Sequence, residues 1–386
     1  HAKGVKVIQD QSANHVGPAH PWAQDPPTPT WFNGSPGEHL SCDWNIPGLA
    51  SPHTPEHGRD LTVRGWFAGI LPDLNNDDPL QTRYLIQNSI WWVAMTGLDG
   101  IRLDTYPYTS YEFWKQWLPA LRREFPRLSI VGEVMDWKPQ TVAYWQKGFP
   151  KIDGTAEGPE SLMDFPWMNA LRAALTKPEG WLQCRDIYQT DFVYPIPEQS
   201  FVFLGNHDTN RYRTEVGDGG ARFRTALAVC LLLKGIPQIF YGDELAMAGG
   251  SDPDNRHDMP GGFAGDAGNA FTGAGLSAEQ AEVQAWTRRL LEVRKQYAAL
   301  RSGCFTELQV TPETMAILKE AGDSKALLLF HLGPKPGPFE LSLPAFRPAL
   351  DGRYHSALEP ARKLEIRGNT AVFELEPNGV QIWIKE

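Results

Sequence analysis

The stretch "GLDGIRLDTYPY" (residues 97–108) decides how the rest of this chain is read. Two glycines introduce an alternation in which Ile101 and Leu103 are apolar while Arg102 and Asp104 are charged. Successive side chains of a strand point to opposite faces, so Arg102 and Asp104 share one face and the apolar pair takes the other. A guanidinium beside a carboxylate favours its ionised form and can lower its pKa by about 1–3 units. The pattern therefore predicts a strand that ends in an ionised carboxylate held by Arg102.

Working outward, β-prone runs at 5–9, 100–103, 128–132, 201–204 and 236–241, with a weaker one at 162–165, are mostly followed by helix-like segments such as 79–95, 111–124 and 221–234. Strands alternating with helices indicate βα units and a parallel sheet. Six strands are fewer than a closed (β/α)8 barrel needs. The first two runs are separated by a segment rich in Pro, Gly and Trp, and an insertion of that length is expected to be functional or a small subdomain; residues 12–75 are assigned to it. A helical pattern runs over 277–300. From 303 to 386 short alternating runs ("KALLLFHL", "FELSLP", "TAVFELE", "VQIWIKE") predict a separate antiparallel β domain, with 1–302 as the preceding domain.

The formal charge of -10 argues against a nucleic-acid partner, whose phosphates call for Lys and Arg. No run of about 18 apolar residues is present, so a membrane-spanning helix is not expected; the compartment stays open between cytoplasm and periplasm. The four cysteines are widely separated, without a C-x-x-C pair, which removes the usual zinc spacing. Fourteen Trp and eleven Tyr suit a site that covers the apolar faces of sugar rings, and equally suit core packing.

Acids recur at expected strand ends: Asp104 in "GIRLD", Glu133 in "IVGE", Asp208 in "FLGNHD", with Asp10, Asn14 and His15 in "DQSANH" on the first strand. In a (β/α)8 barrel the carboxyl ends of the strands share one mouth, where the active site is assembled. Convergent carboxyls are what glycoside hydrolysis asks for, one ionised and one protonated. Glu133, beside other carboxylates, is expected to be pushed upward and to act as acid and base.

"DQSANH" (10–15), "LPDLN" (71–75), "GIRLD" (100–104), "GEV" (132–134), "NHD" (206–208) and "GIPQIFYGDE" (235–244) stand in the order seen in the α-amylase family of glycoside hydrolases, and the chain resembles its cyclomaltodextrinase/neopullulanase branch. The resemblance implies a TIM-type barrel with a domain B insertion at 12–75 and a C-terminal β-sandwich. It implies cleavage of α-1,4-glucosidic bonds of cyclodextrins and maltooligosaccharides through a covalent glycosyl-enzyme intermediate. Asp104 is then the nucleophile, Glu133 the acid/base and Asp208 the third carboxylate; His15, His207 and Arg102 contact the sugar or the nucleophile. Tyr108 and Arg256 join the expected substrate-binding set, with packing and loop pinning as their alternatives. Tyr106, Trp22, Trp31, Trp44 and Trp137 are open between sugar contact and packing.

The family's barrel begins with two strands that nothing before residue 5 matches, and a barrel open there would expose sheet edges. A separate N-terminal fragment or second subunit is the expected partner beside the carbohydrate. "DTYPY" replaces the Lys-His found after the nucleophile in calcium-dependent amylases, and Gly205 stands where many relatives carry a polar residue. No cofactor or essential metal is expected. The competing readings are a non-catalytic carbohydrate-binding scaffold and an enzyme acting on α-1,6 or α-1,1 bonds.

Overall fold

A computed structural model describes residues 1–151, 154–217, 220–302, 304–342, 350–368 and 370–386. Gly303, at the expected domain boundary, and Leu343 and Pro344 of "FELSLP" lie outside the described residues. The chain forms two compact units, one of His1–Pro166 with Thr190–Phe201, the other of Trp167–Gln189 with Val202–Glu386.

In the first unit, strands β1 (Ile8–Ser12), β2 (Gly100–Asp104), β3 (Ser129–Gly132) and β4 (Ser161–Leu162) form a parallel sheet in that order. Asp10 lies opposite Arg102, and Arg102 opposite Val131. Gly100 is required where three strands meet, because a Cβ there would stand 2.8 Å from the Ser129 carbonyl oxygen. The first strand begins later than the apolar run at 5–9 suggests. Val5, Val7 and Ile8 are exposed, and Val7 N–H instead bonds the Asp99 carboxylate at 2.9 Å.

The helix Pro79–Thr96 connects β1 to β2. Asp78 caps it by accepting from the N–H groups of Leu80 and Gln81, proline fills its first position, and Gly97 ends it at φ 69°. That is the asymmetry expected of helix ends. Asp78 also accepts from the Thr28 and Thr30 hydroxyls at 2.7 Å each, so the cap anchors the inserted segment. Burial opposes its charge, but these four donors hold the Asp78 carboxyl below its ordinary value. The helix Tyr111–Glu124 buries Phe113, Trp114, Trp117, Leu118 and Leu121, a stripe of helical period. Trp117 Nε1 donates to Ser89 Oγ at 2.9 Å and joins the two helices.

In the second unit the helix Ala221–Leu232 is buried along almost its whole length. β5 (Phe201–Val202) and β6 (Ile236–Pro237) are shorter than their apolar runs. Phe240 and Tyr241 leave the ladder to pack on the Arg211 guanidinium, at 3.9 and 4.7 Å from its carbon. In the first unit Phe165 starts the helix Phe165–Ala174 and does not extend a strand. The expected single helix over 277–300 is two, Ala278–Gln296 and Ala298–Ser302, the first opened by a Ser277/Gln280 capping box. Among the described residues Cys42, Cys184 and Cys230 are buried free thiols.

The C-terminal strands β7 (Cys304–Val310), β8 (Thr314–Ala321), β9 (Ser324–His331), β10 (Gly337–Ser342), β11 (Gly352–Ser356), β12 (Lys363–Ile366), β13 (Thr370–Leu375) and β14 (Val380–Lys385) form an antiparallel sheet in the order β12-β11-β14-β9-β8-β7 and a β10-β13 ribbon. One face, with Met315, Ile317, Leu328 and Phe330, shares a core with Leu227, Leu231, Leu290 and Val293 of the helices. The other, with Leu318, Leu327 and Trp383, shares one with Leu341 and Phe373 of the ribbon. Six consecutive buried residues in β8 follow from having both faces covered. The boundary expected at 302/303 therefore falls inside the second unit.

Lys319 of β8 is 3% exposed and donates to the Leu232 and Leu233 carbonyls at 3.1 and 2.8 Å, where the helix Ala221–Leu232 ends. Lys319→Met keeps the stem and removes the charged donor. It should destabilise the protein by about 1.5–3 kcal/mol in a urea titration, and an unchanged midpoint would show that the two carbonyls find other partners.

Candidate active site

In the first unit the parallel register brings three carboxylates to one guanidinium. Arg102 Nη1 donates to Asp10 Oδ1 and Oδ2 at 2.6 and 2.7 Å and to Asp104 Oδ1 at 3.0 Å, while Nη2 donates to Glu133 Oε1. Burial disfavours the cation, but Glu133, Asp10 and Asp104 outweigh it and hold the Arg102 pKa above its ordinary value. Asp104 and Glu133 thus occupy different ends of the same fork. Glu133 is ion-paired with this cation, which it shares with the carboxylates of Asp10 and Asp104.

Thr105, directly after Asp104, has φ 49°, the left-handed region that β-branched residues avoid. Its N–H donates to Glu133 Oε2 at 3.1 Å, so the turn supplies a second donor to the same carboxylate. Glu133 N–H in turn bonds the Leu103 carbonyl at 3.0 Å, continuing the β2–β3 pairing past the end of the ladder.

His15 is oriented by a chain of amides. Asn14 Nδ2 donates to Asp73 Oδ1 at 2.8 Å and to the Tyr108 carbonyl at 3.0 Å, which leaves Asn14 Oδ1 facing His15 Nδ1 at 2.9 Å. Nδ1 must then carry the proton, and the neutral ring keeps Nε2 as an acceptor. Burial lowers the His15 pKa against the opposing pull of Asp104. Asp73, fully buried, also accepts from Asn33 Nδ2 at 2.8 Å and so ties the inserted segment to β1; burial raises its pKa well above the ordinary carboxylate value despite these donors. The His15 ring stacks on Phe67 at 5.1 Å.

Tyr106 and Tyr108 are buried. Tyr106 packs on Trp114 and Trp145, and Tyr108 lies edge-on to Phe67. Trp22 and Trp31 pack on one another and on Tyr84. Trp44 and Trp137 stay about half exposed.

The second unit carries His207, Asp208 and Arg256. His207 Nε2 lies 3.3 Å from Asp208 Oδ2, and Arg256 Nη2 lies 3.4 Å from Asp208 Oδ1. Arg256 Nε also donates to the His207 carbonyl at 3.0 Å, and Asn255 Nδ2 to the His207 and Thr209 carbonyls at 2.7 and 2.9 Å. Arg256 is therefore a loop pin as well as a charge beside Asp208. Behind it, buried Arg211 donates to the Asn255 carbonyl at 2.8 Å and pairs with buried Asp243 at 3.6 Å. A Cβ on Gly205 would meet Thr209 Oγ1 at 3.0 Å and Arg172 Nη1 at 3.3 Å, while Arg172 takes its acidic partner from Glu215.

Thr105, Arg211 and Asn255 escaped a reading by motif. Asp73 and Asp243 stand within quoted motifs, "LPDLN" and "GIPQIFYGDE", whereas nothing in the sequence signals a left-handed Thr105.

Compared with known proteins, residues 1–303 match the family model "Alpha amylase, catalytic domain". The chain is similar to a cyclomaltodextrinase of Geobacillus thermopakistaniensis (strain MAS1), 24% identical over 398 residues that cover 100% of this chain and 60% of the relative. It is similar to a cyclomaltodextrinase of Thermoanaerobacter pseudethanolicus, 26% identical over 353 residues that cover 87% of this chain and 54% of the relative. Among solved structures an α-amylase of Anoxybacillus matches with a TM-score of 0.81 at 23% identity, over 100% of this chain and 76% of that one. That likeness shows the fold, with its C-terminal antiparallel sheet. The chain spans between 54% and 60% of the length of these two cyclomaltodextrinases.

Burial pushes the Asp243 carboxyl up to about 7, with Arg211 opposing it. Its unfolded value lies near 3.8, so the unfolded chain releases this proton first as pH rises, and the folded state loses stability from about pH 4 to about pH 7. Asp243→Asn cannot titrate. Its stability relative to the parent should therefore improve steadily across that window; a difference independent of pH would show that Asp243 titrates normally.

Proposed function

The chain belongs to the α-amylase family, and from that premise we propose that it hydrolyses α-1,4-glucosidic bonds of cyclodextrins and short maltooligosaccharides with retention of configuration. The observation that carries this is one guanidinium gripping Asp104 and Glu133 at the ends of adjacent parallel strands. The preference for cyclodextrins rests on the relatives that bear the name cyclomaltodextrinase.

In the proposed reaction Glu133, protonated, gives its proton to the leaving glycosidic oxygen while the Asp104 carboxylate attacks the anomeric carbon. The product is a glycosyl ester of Asp104. Glu133, now ionised, takes a proton from water as that water's oxygen attacks the same carbon and frees Asp104. The donors from Arg102 and Thr105 suit the ionised stage of Glu133. Retention implies a gap of about 5–5.5 Å between the two carboxyls. His15 Nε2 is assigned to accept from a sugar hydroxyl. Asp208 and His207, by their place in "NHD", are assigned as third carboxylate and second sugar-binding histidine. Residues 12–75 are assigned as domain B, β1–β6 as strands of a (β/α)8-type barrel and β7–β14 as the C-terminal β-sandwich.

The test is product analysis on β-cyclodextrin, maltoheptaose, pullulan and trehalose, with the anomer of the first product followed by NMR. The α-anomer is expected first from the α-1,4 substrates. Glu133→Gln should lower kcat by on the order of 10²–10⁴-fold, with Asp104→Asn and Asp208→Asn also strongly impaired. A β-anomer first would sink the retaining mechanism. A folded chain that binds oligosaccharide without cleaving it would be a scaffold, and cleavage confined to pullulan or trehalose would move the bond specificity.

A further inference from the structure

Trp44 stands apart from the other tryptophans of the inserted segment. Its φ is 61°, a left-handed conformation that strains a bulky residue. The loop keeps it there. Trp44 N–H bonds Cys42 Sγ at 3.5 Å, Asp43 Oδ1 accepts from Asn45 N–H and Thr62 Oγ1, and Asn45 caps the helix Ile46–Ala50. The ring remains 49% exposed. It is braced from the side, at 4.2 Å from the Phe67 centroid and 6.0 Å from that of Tyr108. A core position would engulf it, as Trp31 is engulfed, and a glycine would hold this backbone without strain.

The brace leads back to the chemistry. Phe67, which meets Trp44 edge-on, is the ring on which His15 stacks, and the His15 N–H bonds Ser12 Oγ at 3.5 Å, with Ser12 opposite Asp104 in the β1–β2 register. His15, Phe67 and Trp44 are joined ring to ring, stacked and then edge-on, from the end of β1 opposite Asp104 to a half-exposed indole. Glucosyl rings present flat C–H faces to such a surface, and a rigid aromatic supplies contact area with few rotors to freeze.

We infer that Trp44 is a stacking platform for a glucosyl residue of an α-1,4-glucan near the bond cleaved, a specificity-determining residue for the reaction proposed above, on which this inference rests. The strained turn presents the indole face to the sugar, and the Phe67 and Tyr108 edges keep it from folding away.

The test compares Trp44→Gly and Trp44→Phe with the parent. Binding of maltoheptaose and β-cyclodextrin is measured by calorimetry in the Glu133→Gln background, and KM and kcat in the active one. Trp44→Gly should weaken binding and raise KM by roughly three- to tenfold, with kcat moving less, and Trp44→Phe should recover most of the loss. Because glycine relieves the left-handed strain, the melting temperature of Trp44→Gly should hold or rise. A lowered melting temperature with unchanged affinity would make Trp44 a packing residue and overturn the platform. If the parent cleaves maltoheptaose and Trp44→Gly binds it equally well, the platform falls and the hydrolase stands; if the parent neither binds nor cleaves any α-glucan, both fall.

Discussion

The first unit depends on what a largely buried arginine needs, its side chain 13% exposed. A guanidinium removed from water must be paired and bonded, and Arg102 meets that need with Asp10 from the strand before it, Asp104 from its own strand and Glu133 from beyond the strand after it. Its planar fork presents donors in fixed directions, which a lysine would not. The carboxylates are therefore placed relative to one another through a rigid intermediary. The parallel register carries the geometry, because Asp10 can face Arg102 only with β1 paired as it is.

Around this centre the inserted segment is tied down by acids whose partners are backbone groups, amides and hydroxyls. Asp78 joins the helix Pro79–Thr96 to Thr28 and Thr30, and Asp73 joins Asn33 to Asn14 and through it to His15. These bonds decide where aromatic residues of a segment with little regular structure come to rest. The left-handed Thr105 and Trp44 are strained positions in the same surroundings, which is where a fold stores strain when a site requires a particular direction from a donor or a ring.

The second unit uses an arginine differently. Arg211 contacts one carboxylate, but its main partners are carbonyls of the loop that carries Asn255 and of Tyr241, with Phe240 and Tyr241 packed on its plane. Asn255 and Arg256 then hold the backbone of His207–Thr209. Asp208 is thus positioned by its neighbours' backbone.

Much of this was legible because it is local. The alternation in 100–104, the Asp78-Pro79…Gly97 punctuation and the apolar stripe of Tyr111–Glu124 each act within a turn or a strand, and the structure follows them. The ordered motifs also pointed to the family whose model matches residues 1–303. Where elements came out shorter than their apolar runs, a tertiary partner had claimed the residues: Arg211 took Phe240 and Tyr241, and Asp99 took Val7. By itself the sequence determined the strand that carries Arg102 and Asp104, the acids at strand ends and the change to antiparallel texture after residue 303. Only the tertiary structure decided that Glu133 pairs with Arg102, that Thr105 turns its N–H toward Glu133, and that Trp44 stays exposed while Trp31 is buried. Those outcomes depend on which distant groups compete for the same space and the same donors, and spacing along a chain does not encode that competition.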